Sequence, residues 1–425
     1  MPQSQESHRP DGAPRWEKPD LEKRRMEDAY ERYASLLREK IASFVPGRPN
    51  YWLNHDKVSW PKPLYKGSYN GMNALMLMMH CDKEGFKVPV FVSRERLMDL
   101  NYQRGPDGKS VPATDGEGRQ LPFVHLSKGA RSFPVFLSQA TITSKATREV
   151  ISYRQYMSLP KEAQDGYNVR YSPVVENVFN VDQTNIPEAR PDLYQRLVDE
   201  NRPRLLENDD RKFHFAPLDV LIGNHFWICD FYPSYDGDIF YDVRANRINF
   251  SLKDAFQGGN GYYGTVFEKM VVSALAGEAV RPELDDGRAS SEYVRRELAA
   301  ELGSALVCQR YGIRKQLEPE SLDFCDRWAR NLKEIPEYGP SVLRNVKDAT
   351  GRMSVLIDCA QKVYLEKHQG DDLREDGQSE GLDVNGDGVV DAGDTHYSAD
   401  RRQGSGEGEG ETEEEAQKKR PAFHR

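Results

Sequence analysis

The residues of this chain best placed to do chemistry lie in "YYGTVFEKMVVSAL", residues 262 to 275, where Glu268 and Lys269 stand side by side in an apolar helical pattern. Phe267, Met270 and Ala274 fall on one side of that helix. A helix that holds catalytic zinc carries H-E-x-x-H, two imidazoles one turn apart with a glutamate between them as general base. Glu268, Lys269 and Val272 fill that place here, and none is an imidazole. Further on, Glu297 and Glu301 stand at i and i+4 in "RRELAAEL", so one helix face presents two carboxylates. Carboxylates without histidine make a poor zinc site. A cation at Lys269 would repel Zn²⁺ and can instead pair with Glu297 or Glu301. A salt bridge is therefore expected where a metal would sit, and zinc is not expected as a cofactor. The competing reading of Glu297 and Glu301 is a solvated helix face. His214 and His225 lie upstream, beside "DVLIGNHFWICDF", and read as structural residues.

A second signal is "DVNGDGVVDAGD", residues 383 to 394. Asp383, Asn385 and Asp387 alternate as oxygen ligands, Gly388 permits the sharp turn, and the carbonyl of Val389, then Asp391 and Asp394, complete a loop of the EF-hand or dockerin kind. Ca²⁺ is the cofactor it would take. The loop is single and no helix precedes it, so an acidic tail that happens to spell the pattern is the competing reading.

A third group could meet a polyanion. Lys128 and Arg131 flank Gly129 on a tight turn, placed to meet phosphates as point charge and fork. Trp52, Trp60 and Tyr69 could offer stacking faces to unpaired bases, which bind without reading sequence. Gly71, followed by Asn73 in "YNGMN", would let backbone approach a ligand closely. All three aromatics read equally as core, and the Lys-Gly turn as a plain hairpin.

The totals suit this picture. Formal net charge is −9, but residues 1–150 hold 24 Lys+Arg against 18 Asp+Glu, leaving 35 against 50 in the remainder. A basic front half on an acidic chain is compatible with a polyanion partner. Mean hydropathy is −0.76. No apolar run approaches the ~20 residues of a membrane span, and the N-terminus lacks a secretory pattern. Five widely spaced cysteines suggest reduced thiols in a cytoplasm.

Periodicity supplies the elements that must position these residues. It predicts a polar tail over 1–20, then a helix from about Pro19 to Phe44 on Met26, Tyr30, Tyr33, Leu36, Leu37 and Ile41. A second helix follows "YNGMN", then a strand at "VPVFVS", a short helix, and a loop or hairpin over 103–120. Two strand-like runs about the Lys128-Gly129 turn lead into further strand up to residue 184, the expected end of a front domain. The back domain, 185–368, starts with the helix "RPDLYQRLVDEN". It continues with a strand at "DVLIGNHFWICDF", a hairpin turning at Ala245-Asn246, and four helices. Residues 369–425 form a charged tail too poor in apolar residues to fold alone. The fold class expected is α+β.

Taken together and in order, several stretches resemble the ArdC-type antirestriction proteins of plasmids and conjugative elements. They are "YNGMN", "VPVFVS", "SKGARSFPV", "YNVRYSPVVENVFNVDQTN", "YDVRANRINFSLKDAF", "YYGTVF", "YVRRELAAELGSALVCQRYGI" and "SVLRNVKDAT". The resemblance spans about residues 25 to 365. It implies a front domain that binds single-stranded DNA and a back domain with a zincin-like metallopeptidase fold. It also implies a segment like F-H-E-M-A-H-S where this chain has Phe267 to Ser273, with a third ligand from the helix of Glu297 and Glu301. Aligned on Phe267, Met270 and Ser273, Glu268 replaces the first histidine, Lys269 the base and Val272 the second histidine. A slip of one residue keeps Glu268 as base and puts Phe267 and Val271 in the histidine places. In either register the imidazoles are gone, so the expectation is a single-strand binder of a mobile element whose second domain is a vestigial, catalytically inactive zincin, available for a protein partner. Two alternatives stand beside it: a metallopeptidase with unconventional ligands, and a Ca²⁺-regulated interaction scaffold.

Overall fold

The computed structural model describes residues 18–65, 67–105, 108–203, 215–224, 226–234, 238–251, 256, 258–275 and 290–367. The calcium-type loop at 383–394, both histidines 214 and 225, and the two tails lie outside the described residues.

Helix α1 (Lys18–Ala42) buries Tyr33, Leu37 and Ile41, the stripe that the three-and-four spacing marked. Strand β1 (Lys62–Pro63) precedes α2 (Gly71–Glu84), which is buried from Asn73 to Cys81 and stops at Gly85, whose left-handed backbone (φ 70°) costs glycine little. Strand β2 (Val90–Ser93) runs directly into α3 (Arg94–Asp99), because the Ser93 hydroxyl accepts from the Arg96 N–H and caps the helix. The loop expected over 103–120 is a hairpin of β3 (Tyr102–Arg104) and β4 (Ser110–Pro112).

Only one of the two runs about Lys128-Gly129 is a strand. β5 (Phe133–Ser144) follows the turn, whereas the preceding run touches the sheet region only through a bridge from Leu126 to Thr184. After β6 (Val150–Ile151), the segment expected to continue as strand holds two short helices, α4 (Tyr153–Met157) and α5 (Lys161–Gln164). A Ser152–Gln155 capping box starts α4, a local signal that outweighs the β-branched residues before it. Long strand β7 (Tyr167–Asn180) then pairs with all of β5, giving a sheet in the order β1-β2-β7-β5-β6.

Helices α6 (Ile186–Ala189) and α7 (Pro191–Glu200) follow. The run expected as strand from residue 219 begins instead as helix α8 (Ala216–Gly223), with Pro217 in its first turn, and β8 is confined to Asp230–Pro233. β9 (Phe240–Asp242) and β10 (Arg247–Phe250) form the expected hairpin, turning through Asn246 at φ 48°. Parallel pairing of β8 with β10 completes a small sheet. Helices α9 (Gly259–Leu275), α10 (Ser291–Arg310), α11 (Cys325–Glu334) and α12 (Tyr338–Lys367) close the chain's described part. Helices and two main sheets thus make an α+β architecture. No helix among the described residues is long and apolar enough to cross a membrane.

The largest core ignores position 184. It joins Tyr33, Leu37, Trp52, Leu75 and Met76 from the front to Val294, Leu298, Trp328, Val342 and Leu343 from the back. A second core surrounds α9 through Tyr263, Phe267, Met270 and Ile248, and a third lies behind β2.

Candidate functional site

Helices α9 and α10 pack closely because α10 carries Gly303 at the contact: a Cβ there would come within 3.3 Å of the Val271 methyl carbons. This approach places Glu268 of α9 and Glu301 of α10 in one buried space, 2 % and 1 % exposed. The loop after α10 enters the same space. The Arg314 N–H donates to Asn260 Oδ1 (2.9 Å) and the Leu317 N–H to Asn50 O (2.8 Å), and between those pins Lys315 turns inward. Its stem passes over Gly264 of α9, where an added Cβ would lie 3.1 Å from Lys315 Cδ.

The Lys315 ammonium sits among three carboxylates, 2.9 Å from Glu268, 3.1 Å from Glu318 and 3.4 Å from Glu301, and donates to Gln316 O at 2.9 Å. Ser321 Oγ (2.6 Å) and the Glu318 N–H (3.2 Å) donate to Glu301 Oε1, and Thr265 Oγ1 to Glu318 Oε1 (3.1 Å). Lys269 pairs with Glu268 at 2.7 Å. The cluster is thus a closed set of ion pairs and hydrogen bonds.

Burial would raise the Glu268 carboxyl, but Lys315 and Lys269 override it and hold it down at about 2. Burial pushes Glu301 up to about 7, against the pull of Lys315. Burial also raises Glu297, which Lys269 and Tyr293 partly offset. For Lys315, burial would release the proton, yet the surrounding carboxylates hold the ammonium charged well above its ordinary range. Two ammoniums thus bracket Glu268, which stays ionised.

The expected salt bridge is present, but with a different partner set. Lys269 binds its neighbour Glu268, and the cation that reaches Glu301 is Lys315. Glu297 is half-buried and interacts with Lys269 and Tyr293. Neither Glu297 nor Glu301 lies on a solvated face, and Val272 is a half-buried neighbour of the second core. A zincin-type metal does not fit this donor set. Its donors are carboxylates without imidazole, and an ammonium already stands at ion-pair distance from three of them.

Sequence reasoning missed Lys315. The signal was a lone lysine in "YGIRKQLEP", between Ile313 and Leu317, downstream of two carboxylates on a buried helix that needed a counter-charge.

The front-half residues divide. Trp52 is fully buried against Phe44 and Trp328, and Tyr69 is buried against Phe91, so both correct the stacking expectation: neither offers a face to a base. Trp60 is half-buried and donates from Nε1 to Tyr69 O at 2.6 Å. Asn73 is a structural pin. Its Oδ1 accepts from the Phe136 N–H (2.9 Å) and its Nδ2 donates to Phe136 O (2.7 Å), tying α2 to β5. Gly71 opens α2 with φ 52°. Lys128, Gly129 and Arg131 are exposed on a turn, Gly129 at φ 86°, and the Arg131 carbonyl accepts from Gln183 Nε2. Trp60 and Gly71 instead border a cavity of about 350 Å³ between β5, β7, the start of α2, and helices α10 and α12.

Residues 233–338, which contain Glu268, Lys269, Glu297, Glu301, Lys315 and Glu318, match the model of the family described as MPTase-PolyVal, zincin-like metallopeptidase. No curated protein matches the chain. Among solved structures, the metal-free antirestriction ArdC protein from R388 plasmid superposes with a TM-score of 0.50 at 16 % identity, covering 79 % of this chain and 98 % of that one. The Mn(II)-bound structure of the same protein gives 0.48 at 15 % identity, covering 78 % and 97 %. The chain thus shares its fold with the ArdC antirestriction protein, and within that fold residues 233–338 match the zincin-like metallopeptidase family.

Proposed function

We propose that this protein is an antirestriction-type binder of single-stranded DNA from a mobile element, acting in the cytoplasm, whose zincin-like region serves packing or a protein partner and performs no metal-dependent hydrolysis. The observation that carries the second half of this reading is the Lys315 ammonium, buried among Glu268, Glu301 and Glu318. A water activated by metal needs an open coordination position. Here an internal cation pairs with the carboxylates instead, and Lys269 binds the other oxygen of Glu268. The single-strand half is supported by the resemblance of the chain's motifs to the ArdC-type antirestriction proteins and by exposed Lys128 and Arg131, which suit phosphate contact.

Fluorescence anisotropy with a labelled single strand and the matching duplex, at low and physiological salt, tests the DNA half. Single-strand binding that weakens steeply with salt is expected; equal or absent binding of both DNAs refutes it. Casein hydrolysis that is chelator-sensitive and lost in Glu268→Gln would refute the inactive reading and revive the metallopeptidase with unconventional ligands.

A further inference from the structure

The cavity beside α2 has a lining unlike the rest of this acidic chain. Arg310, Arg344 and Lys347 border it, and no Asp or Glu is among its lining residues. Arg344 and Lys347 lie one turn apart on α12 and are exposed at its rim, while Arg310 is held from behind by Asp358 at 3.1 Å. The cavity also receives the positive end of a 14-residue helix. Asn70 at the N-cap of α2 makes no side-chain bond to the first turn, that turn carries no acidic residue, and the Lys347 stem lies 4.0 Å from a Cβ placed on Gly71. Basic side chains beside an uncapped helix N-terminus make a favourable setting for an anion. Aromatic rings line the same cavity. Tyr30, tilted against Phe136 at 4.5 Å, Trp60, whose indole is fixed by its bond to Tyr69 O, and half-exposed Tyr171 of β7 border the same space. Its volume falls in the range of about 300–1,000 Å³ usual for pockets that enclose small ligands.

We infer that this cavity is a binding site for one unpaired nucleotide, with the base against the Tyr30–Trp60–Tyr171 wall and the phosphate between the start of α2 and Arg344 and Lys347. The basic lining suits an anion, the aromatic rings a flat apolar face, and the volume admits both in one molecule. The same chemistry is offered by a residue of a single strand and by a free nucleoside monophosphate. The inference rests on the single-strand reading above when the nucleotide belongs to a strand, and stands without it when the nucleotide is free. The site recruits α12 of the back half, so a DNA site confined to the front turn at Lys128 and Arg131 is a different one.

Full-length protein, wild type and three variants, would be titrated with a labelled mixed-sequence 20-nucleotide single strand and, separately by calorimetry, with 2′-deoxyadenosine 5′-monophosphate. The variants are Arg344→Glu/Lys347→Glu, Tyr171→Ala and Lys128→Glu/Arg131→Glu, each replacing exposed side chains, with unchanged Tm as the check on folding. The expected result is a loss of at least tenfold in strand affinity for the first, with the salt slope reduced by roughly one to two, and about fivefold or more for Tyr171→Ala. Strand binding unchanged in both cleft variants, with no monophosphate bound, overturns the site and leaves the single-strand reading standing. Monophosphate binding that the cleft variants abolish, with no strand bound by wild type, upholds the site and overturns that reading. Binding of neither ligand overturns both.

Discussion

Lys315 Nζ lies 2.9 Å from Glu268 Oε2, with neither side chain more than 2 % exposed, so a loop lysine and a helix glutamate share one buried charge site. Removing one partner of such a pair strands the other charge in a medium that cannot solvate it.

Lys315→Met is expected to destabilise the protein by about 3–5 kcal/mol, measured by urea unfolding followed by fluorescence. A loss below about 1 kcal/mol would mean the carboxylates shed their charge without it. In Lys315→Ala, Glu268 keeps Lys269 while Glu301 and Glu318 lose their ammonium, and added Mn²⁺ is expected to raise the variant's Tm while leaving wild type unmoved. Equal shifts in both would place the ion elsewhere.

The two carboxylates beside Lys315 give opposite pH dependence. Glu301, raised from 4.5 to about 7, contributes stability that is present below pH 4.5 and lost as pH rises toward 7. Glu268, lowered to about 2, contributes stability present above pH 4.5 and lost as pH falls toward 2. Glu301→Gln should therefore flatten the stability curve between pH 5 and 7.5, removing a decline of up to about 3 kcal/mol. A variant curve parallel to wild type would show that Glu301 is ionised throughout.

Gly264 and Gly261 lie on the same helix and should respond differently to alanine. At Gly264 the new methyl meets Lys315 Cδ at 3.1 Å, on a buried stem whose ammonium is held by three carboxylates, so a loss of about 1–3 kcal/mol is expected. At Gly261 nothing lies within 4 Å, and alanine should be neutral or stabilising by about 0.5–1 kcal/mol. Thermal melts of the two variants compare them directly.

Residues 21–184 alone should not fold cooperatively, because Trp52 packs on Trp328 and the first core includes Leu298, Val342 and Leu343. Urea titration of that fragment is expected to show a gradual change, and Trp328→Ala in the full chain a loss of about 3–5 kcal/mol. A sharp fragment transition would restore a domain boundary at 184.

Local patterns were read correctly where the physics is local. The stripe of α1, the short helix behind β2 and the Asn246 turn each depend on residues within a few positions of one another, whereas α2 begins at Gly71, inside "YNGMN" rather than after it. Readings failed where a run of apolar residues was compatible with two structures. Residues 219–223, expected as strand, belong to helix α8, and the run before Lys128 is no strand. Trp52 and Tyr69 carried no mark of burial, since an aromatic ring that stacks on bases and one that fills a core are the same residue in sequence.

By itself the sequence determined the α+β class, the absence of imidazoles from the segment around Glu268, and the presence of a lysine–glutamate salt bridge in that region. Tertiary structure alone decided which cation answers. Lys315 reaches the site because Gly303 lets two helices close, Gly264 leaves room for its stem, and backbone bonds at Arg314 and Leu317 aim the loop inward. Electrostatic pairing depends on distance in space and on burial, and both arise from contacts between segments far apart along the chain.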